Sequence, residues 1–145
     1  MLARGRPVGE ESAPWRWLLA AATLFLLALL GGSGFWIWRS SYETRGLSEF
    51  AVATARARDA SSPEASPEVR QAAITALENV IDRYPRLSAL PQAAFQLANL
   101  RLEAKAFGRA REAYQLALDN ARTSTMRALS QLGLGYAWEA DRNYA

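Results

Sequence analysis

From Trp17 to Trp38 the chain runs for 22 residues without a charged side chain, and that stretch limits the possible folds more than any other feature. As a helix it reaches roughly 33 Å at 1.5 Å per residue, enough to cross a hydrocarbon core of about 30 Å. Trp15 and Trp17 stand at one end and Trp36 and Trp38 at the other, where indoles anchor at the headgroup level, with Arg16 and Arg39 beside them. The segment therefore reads as a single transmembrane helix over 17–38. A cleaved signal peptide is the competing reading, because Arg4, Arg6 and Arg16 supply a basic leader and Gly32 and Gly34 could flank a cleavage site. The bulky run Phe35, Trp36, Ile37, Trp38 suits an interface anchor better than a new N-terminus. Three arginines and the terminal amine precede the span, against Arg39 and Arg45 after it. This bias places the tail 1–16 in the cytoplasm and the remainder across the membrane. Ala28 and Gly32 form a small-xxx-small pair, which reads either as a seam for a second copy or as a neutral turn of helix.

Setting aside the tail and the span leaves roughly 105 residues, room for one small domain. Alanine and leucine dominate it, which favours helix. The whole chain has no cysteine and no histidine, so thiol chemistry, disulfides and the commonest metal ligands and general base are absent. Glu43, Glu49, Glu64, Glu68, Glu78 and Asp82 alternate with Arg45, Arg70 and Arg83 and read as solvated helix faces, not as a catalytic pair. Lys105 falls in a turn with no serine nearby. The chain is expected to be neither an enzyme nor a holder of any cofactor or metal. Its formal charge of +3 is spread among acidic residues, so nucleic acid is not an expected partner.

Helical periodicity continues past the span. Leu47, Phe50, Ala51, Thr54, Ala55 and Arg58 mark one face of a helix that can run on from the membrane segment, and the polar stretch Ser61 to Pro67 ends it, so that 39–67 form a membrane-proximal helix and linker. Ser66 and Pro67 make an N-cap and first-turn pair for the next helix. That helix carries Val69, Ala72, Ala73, Ala76, Leu77, Val80, Ile81 and Tyr84 up to Pro85. A third begins near Pro91 with Ala94, Leu97, Ala98 and Leu102. A fourth follows a short break at Ala106 with Phe107, Ala110, Tyr114, Ala117 and Leu118, and the tight connection requires the two to pack antiparallel. The fifth spans about Met126 to Ala140 with Leu134, Gly135 and Trp138, and Asp141 to Asn143 reads as a turn.

Residues 37 apart correspond: Ala73 with Ala110, Leu77 with Tyr114, Val80 with Ala117, Leu97 and Ala98 with Leu134 and Gly135, and Phe107 with Tyr144. In this frame Ala98 or Gly135 lets one helix approach its partner, while Phe107, Ala110, Tyr114 and Ala117 fill the gap. The segments LANLRLEAKAFGRAREAYQLAL and LGLGYAWEADRNYA thereby resemble the tetratricopeptide repeat family over about residues 42–145. Arg101 replaces the family's usual tyrosine, the closing proline survives only as Pro85, and 37 residues exceed the usual 34. The resemblance implies an all-α chain: a single N-terminal transmembrane helix, then a tetratricopeptide-like α-solenoid of about two and a half repeats over 68–145. The layout, with its GSGFWIWRSS boundary, is similar to bacterial inner-membrane proteins related to the ancillary subunit of the Sec translocon, whose repeats lie in the periplasm.

What the resemblance implies is a protein-binding adaptor or scaffold on the periplasmic face, with translocon or chaperone components or client peptides as partners and the bilayer as support. The alternative is a structural subunit of a larger membrane complex with no binding role of its own. Phe95, Asn99 and Leu102 from one repeat and Leu132, Tyr136 and Glu139 from the next would line the concave surface. Phe95, Leu102 and Leu132 fit burial against a neighbouring helix equally well, which leaves Asn99 and Tyr136 as the better candidates. Asn99 takes the place of an asparagine that clamps a peptide carboxylate in some relatives. The lysine expected one turn earlier is Phe95, so that clamp is not supported. The sequence stops where the second helix of a repeat is due, leaving Leu134 and Trp138 without partners. The expectation is a longer protein, or a second copy covering that face in a homo-oligomer.

Overall fold

The computed structural model describes residues 15–144. Five helices follow in order, α1 (Trp15–Ala60), α2 (Pro67–Arg83), α3 (Leu90–Glu103), α4 (Phe107–Asp119) and α5 (Ser124–Tyr144), with no strand among the described residues. The chain divides into two units, Met1–Arg39 and Ser40–Ala145. The tail with Arg4 and Arg6 lies outside the described residues, as do the side chains of Arg16, Phe35 and Tyr144, the surroundings of Gly34 and everything at Ala145.

Within the first unit the apolar part of α1 is long and apolar enough to cross a membrane, with a mean hydropathy of 2.0 in its richest window and none of that window buried. Trp15, Trp17, Trp36 and Trp38 are exposed, as are the leucines between them. The hydroxyl of Thr23 donates to the Leu19 carbonyl at 2.8 Å. That bond satisfies the one hydroxyl in the middle of the run without water, as an apolar surrounding requires.

The second unit is a set of antiparallel helical pairs. Residues 40–60 of α1 lie along α2 and the turn after it: Glu49 accepts from Arg83 and from the Tyr84 hydroxyl, each at 2.8 Å, Tyr42 accepts from the Arg86 amide, and Glu43 accepts from both the amide and the hydroxyl of Ser88. Glu43, Glu49 and Glu78, expected on solvated faces, thus tie elements together, since Glu78 takes the Arg101 guanidinium at 2.6 Å. The face that α1 buries also differs from the expected one. Gly46, Ala53, Ala57 and Ala60 are buried with Tyr42 and Phe50 partly so, whereas Leu47, Ala51, Ala55 and Arg58 are exposed. The helices meet so closely that the seam selects small side chains: a Cβ on Gly46 would lie 2.6 Å from Leu87 Cδ1.

Helix α2 begins as its sequence dictates, with Ser66 as N-cap accepting from the Val69 amide and Pro67 in the first turn. Its buried face is Ala73, Ile74, Leu77 and Val80; Val69 and Ala72, expected on that face, are exposed, because it lies one position further round than the bulky first-turn valine suggests. Helix α3 ends in a Schellman motif. The Ala106 amide donates to the Arg101 carbonyl at 2.8 Å, the Lys105 amide to the Leu102 carbonyl, and Lys105 adopts φ 58. Helix α5 does not turn at Asp141 to Asn143 but stays helical to Tyr144. Asp141 is held by Arg111 of α4 at 2.6 Å, and no glycine or proline interrupts the last turn.

Two buried tyrosines link this packing to pH. The hydrogen bond to Glu49 holds the Tyr84 hydroxyl above the usual 10.0, and burial does the same for Tyr114. The folded chain therefore binds these protons more tightly than the unfolded chain. The stability they contribute is complete below pH 10 and is lost as pH rises through the folded values. Urea midpoints are expected to hold steady to about pH 9 and fall beyond pH 10, and Tyr84→Phe should make that fall shallower.

Candidate protein-docking face

Helices α3, α4 and α5 build the candidate site. Phe95 meets the Tyr114 ring edge-on at 5.6 Å, the Tyr114 hydroxyl donates to Asn99 Oδ1 at 2.6 Å, and Arg101 donates to the Arg109 carbonyl at 3.2 Å. As numbers rise along α3 the partners fall along α4, so the pair is antiparallel. Phe107, Ala110, Ala113, Tyr114 and Ala117 are buried on α4. On the other side of α4, Tyr114 lies against Gly133 of α5 while Arg111 reaches Asp141 and covers the Trp138 ring at 4.1 Å.

The two glycines of α5 have opposite surroundings. A Cβ on Gly133 would lie 2.3 Å from a Tyr114 ring carbon, so the close approach rests on Gly133. The sequence assigns that role to Gly135, yet a Cβ there would meet nothing within 4 Å. The face of α5 against α4 is Ser130, Gly133 and Ala137, with Leu134 partly buried beside it. Ser130 and Ala137 stand 37 residues after Ala93 and Leu100, and all four are buried.

This arrangement separates the six candidate binding residues. Phe95 and Leu102 are partly buried and pack against the core, and Asn99 is engaged by Tyr114, so the first group of three lies beneath or beside α4. Their counterparts Leu132, Tyr136 and Glu139 are open: Leu132 is 56% and Tyr136 57% exposed, and Trp138, on the flank toward α4, is 55% exposed. Leu129 extends the stripe by one turn. Sequence reasoning did not single out Leu129 as a binding residue, although its spacing of three from Leu132, itself four from Tyr136, was visible. The expectation that Leu134 and Trp138 lack partners is corrected in part, since Leu134 packs on the core and Trp138 carries the Arg111 guanidinium.

Ser130 is wholly buried and its hydroxyl has no hydrogen-bond partner. Removing an unpaired buried hydroxyl is neutral or favourable, so Ser130→Ala, which restores the residue found at Ala93, is expected to raise stability by about 1 kcal/mol in urea unfolding.

No protein-family model matches the chain, and no curated protein and no solved structure matches it.

Proposed function

We propose that the chain is a membrane-anchored scaffold that binds other proteins, with 17–38 spanning a bacterial inner membrane and the second unit, a tetratricopeptide-like helical array, on the periplasmic side. The observation that carries this reading is the open stripe on α5, where Leu129, Leu132 and Tyr136, spaced by three and four, are exposed together on a helix that packs through Ser130, Gly133 and Ala137. Large apolar side chains gathered on one exposed face are the mark of an interaction surface. The anchor is supported by an uncharged helix with tryptophan at both ends and nothing covering it among the described residues. The resemblance to relatives of the ancillary Sec subunit supports the compartment and suggests secreted or membrane proteins as clients.

A photo-crosslinking residue at Tyr136, in the full chain in native membranes, tests the reading. Specific adducts with defined proteins are expected at position 136 and not at exposed Val69. Those adducts should persist when 17–38 are exchanged for an unrelated spanning helix. Loss of every adduct on that exchange would favour the structural-subunit reading, in which association runs through the membrane segment.

A further inference from the structure

Three contacts fix one end of the second unit to the point where the chain enters it. Tyr42 accepts from the Arg86 amide at 3.2 Å, Glu43 accepts from the Ser88 amide at 3.1 Å, and the Tyr42 and Tyr84 rings meet edge-on at 5.3 Å. The turn 84–89 between α2 and α3 is therefore held against the first residues of the unit. Helix α3 starts from that turn and α4 returns antiparallel to it, so the end of α4 comes back to the same place. Helix α5 is antiparallel to α4 in turn, with Gly133 against Tyr114 and Asp141 on Arg111. The connection 120–123 and the first turn of α5 thus lie at this end as well.

The connections at the two ends differ in charge. At the entry end, 84–89 and 120–123 carry Arg86 and Arg122 and no acidic residue, and Arg45 on α1 and Arg127 on the first turn of α5 add to them. These arginines are all exposed, and none takes part in the ion pairs among the described residues. The carboxylates at this end are mostly engaged: Glu43 by Ser88, Glu49 by Arg83 and Tyr84, and Asp119 by the Gln115 amide, which leaves Asp82. At the opposite end, 61–66 carries Glu64 and no basic residue and lies between Asp59 and Glu68, while the 104–106 turn sets Lys105 two positions after Glu103.

Covalent length ties the arginine-bearing end to the bilayer. Tyr42 follows Trp38, the last tryptophan of the apolar run, by four residues, a stretch that reaches about 14 Å at most, whatever the angle at which the second unit leaves the span. We infer that this end docks on anionic phospholipid headgroups, with Arg45, Arg86, Arg122 and Arg127 against the phosphates. Exposed, unpaired guanidinium groups are the complement of that surface, and each arginine close to it shifts the balance towards contact about fivefold. Docking sets the direction in which the open stripe of α5 is presented. The inference rests on the reading of 17–38 as a membrane span.

The test uses the full chain in lipid nanodiscs of phosphatidylcholine alone or with phosphatidylglycerol. Arginines are modified with a neutral dicarbonyl reagent and the modified positions counted by mass spectrometry. Arg86, Arg122 and Arg127 are expected to be protected about fivefold or more in the anionic discs, while exposed Arg58 and Arg109 at the opposite end react equally in both. The protection should vanish in 1 M salt, where charges are screened beyond about 3 Å. Arg86→Gln with Arg122→Gln should lower the ratio of docked to free unit about 25-fold, so that Arg127 loses its protection although its own surroundings are untouched. Protection of Arg127 that survives the double variant overturns the inference. Equal reaction of all these arginines in both kinds of disc also overturns it, and leaves the basic end to an acidic protein surface. Failure of the chain to co-elute with the discs removes the span reading and this inference together; co-elution without protection removes the inference alone.

Discussion

Gly133→Val is expected to destabilise the second unit by about 3 kcal/mol, at the top of the usual range for forcing atoms into a packed interior. The added Cβ alone would sit 2.3 Å from one Tyr114 ring carbon and within 2.7 Å of two more. Tyr114 has no room to retreat: its side chain is buried, its other edge faces Phe95, and its hydroxyl is engaged by Asn99. The alternative is for α5 to lift from α4, which strains the Arg111–Asp141 pair and uncovers Ala137 and Ser130. A unit of this size has roughly 5–15 kcal/mol in total, so the substitution removes a large part of it. Two residues along the same helix the sign reverses. Gly135→Ala adds a methyl into open space and gains helix propensity, for an expected increase of roughly 0.5–1 kcal/mol. Urea unfolding followed by helical circular dichroism measures both. A Gly133 variant as stable as the parent would mean that α5 does not rest on Tyr114, and the site geometry would fall with it.

That contrast shows where the sequence was legible and where it was not. The start of α2 could be read directly, because a serine cap and a first-turn proline act locally, through the backbone of their own residues. The buried face of α4 could be read because Phe107 and Tyr114 are large and three-and-four spaced. The seam of α1 could not, since it is made of Gly46, Ala53, Ala57 and Ala60, residues whose hydropathy barely separates them from a surface, while neighbouring Leu47 points outward. The end of α5 was misread as a turn because what holds Asp141 in a helix is Arg111, thirty positions away and on another element. The candidate site was half legible: the correspondence at 37 residues identified Leu132 and Tyr136, but only packing separates an open face from Phe95 and Asn99, which a crossing helix already occupies. It also takes packing to tell Gly133 from Gly135.

Paired arginines in the middle of the apolar stretch are expected to release the chain from the membrane. On the insertion scale each large apolar residue contributes about −0.3 to −0.6 kcal/mol and a central arginine about +2.5 to +3.5. Ten such residues lie between Trp17 and Trp38: seven leucines, Phe25, Phe35 and Ile37. Leu26→Arg with Leu27→Arg leaves eight, worth roughly 2 to 5 kcal/mol, against a penalty of about 5 to 7. Two neighbouring positions are chosen because successive helical residues point about 100° apart, so no single protein seam can shelter both charges. A lone Leu19→Arg near the tryptophan boundary should be tolerated, since its side chain can reach the headgroups. Alkaline carbonate extraction distinguishes the cases: the parent and Leu19→Arg stay with the membrane pellet, and the double variant does not. Intact-mass measurement of the pelleted parent separates an anchor from a leader, because cleavage after the glycines would remove Trp17 and most of the apolar run. If the double variant still resists carbonate, retention depends on another protein, and the open stripe of α5 becomes the first place to look for it.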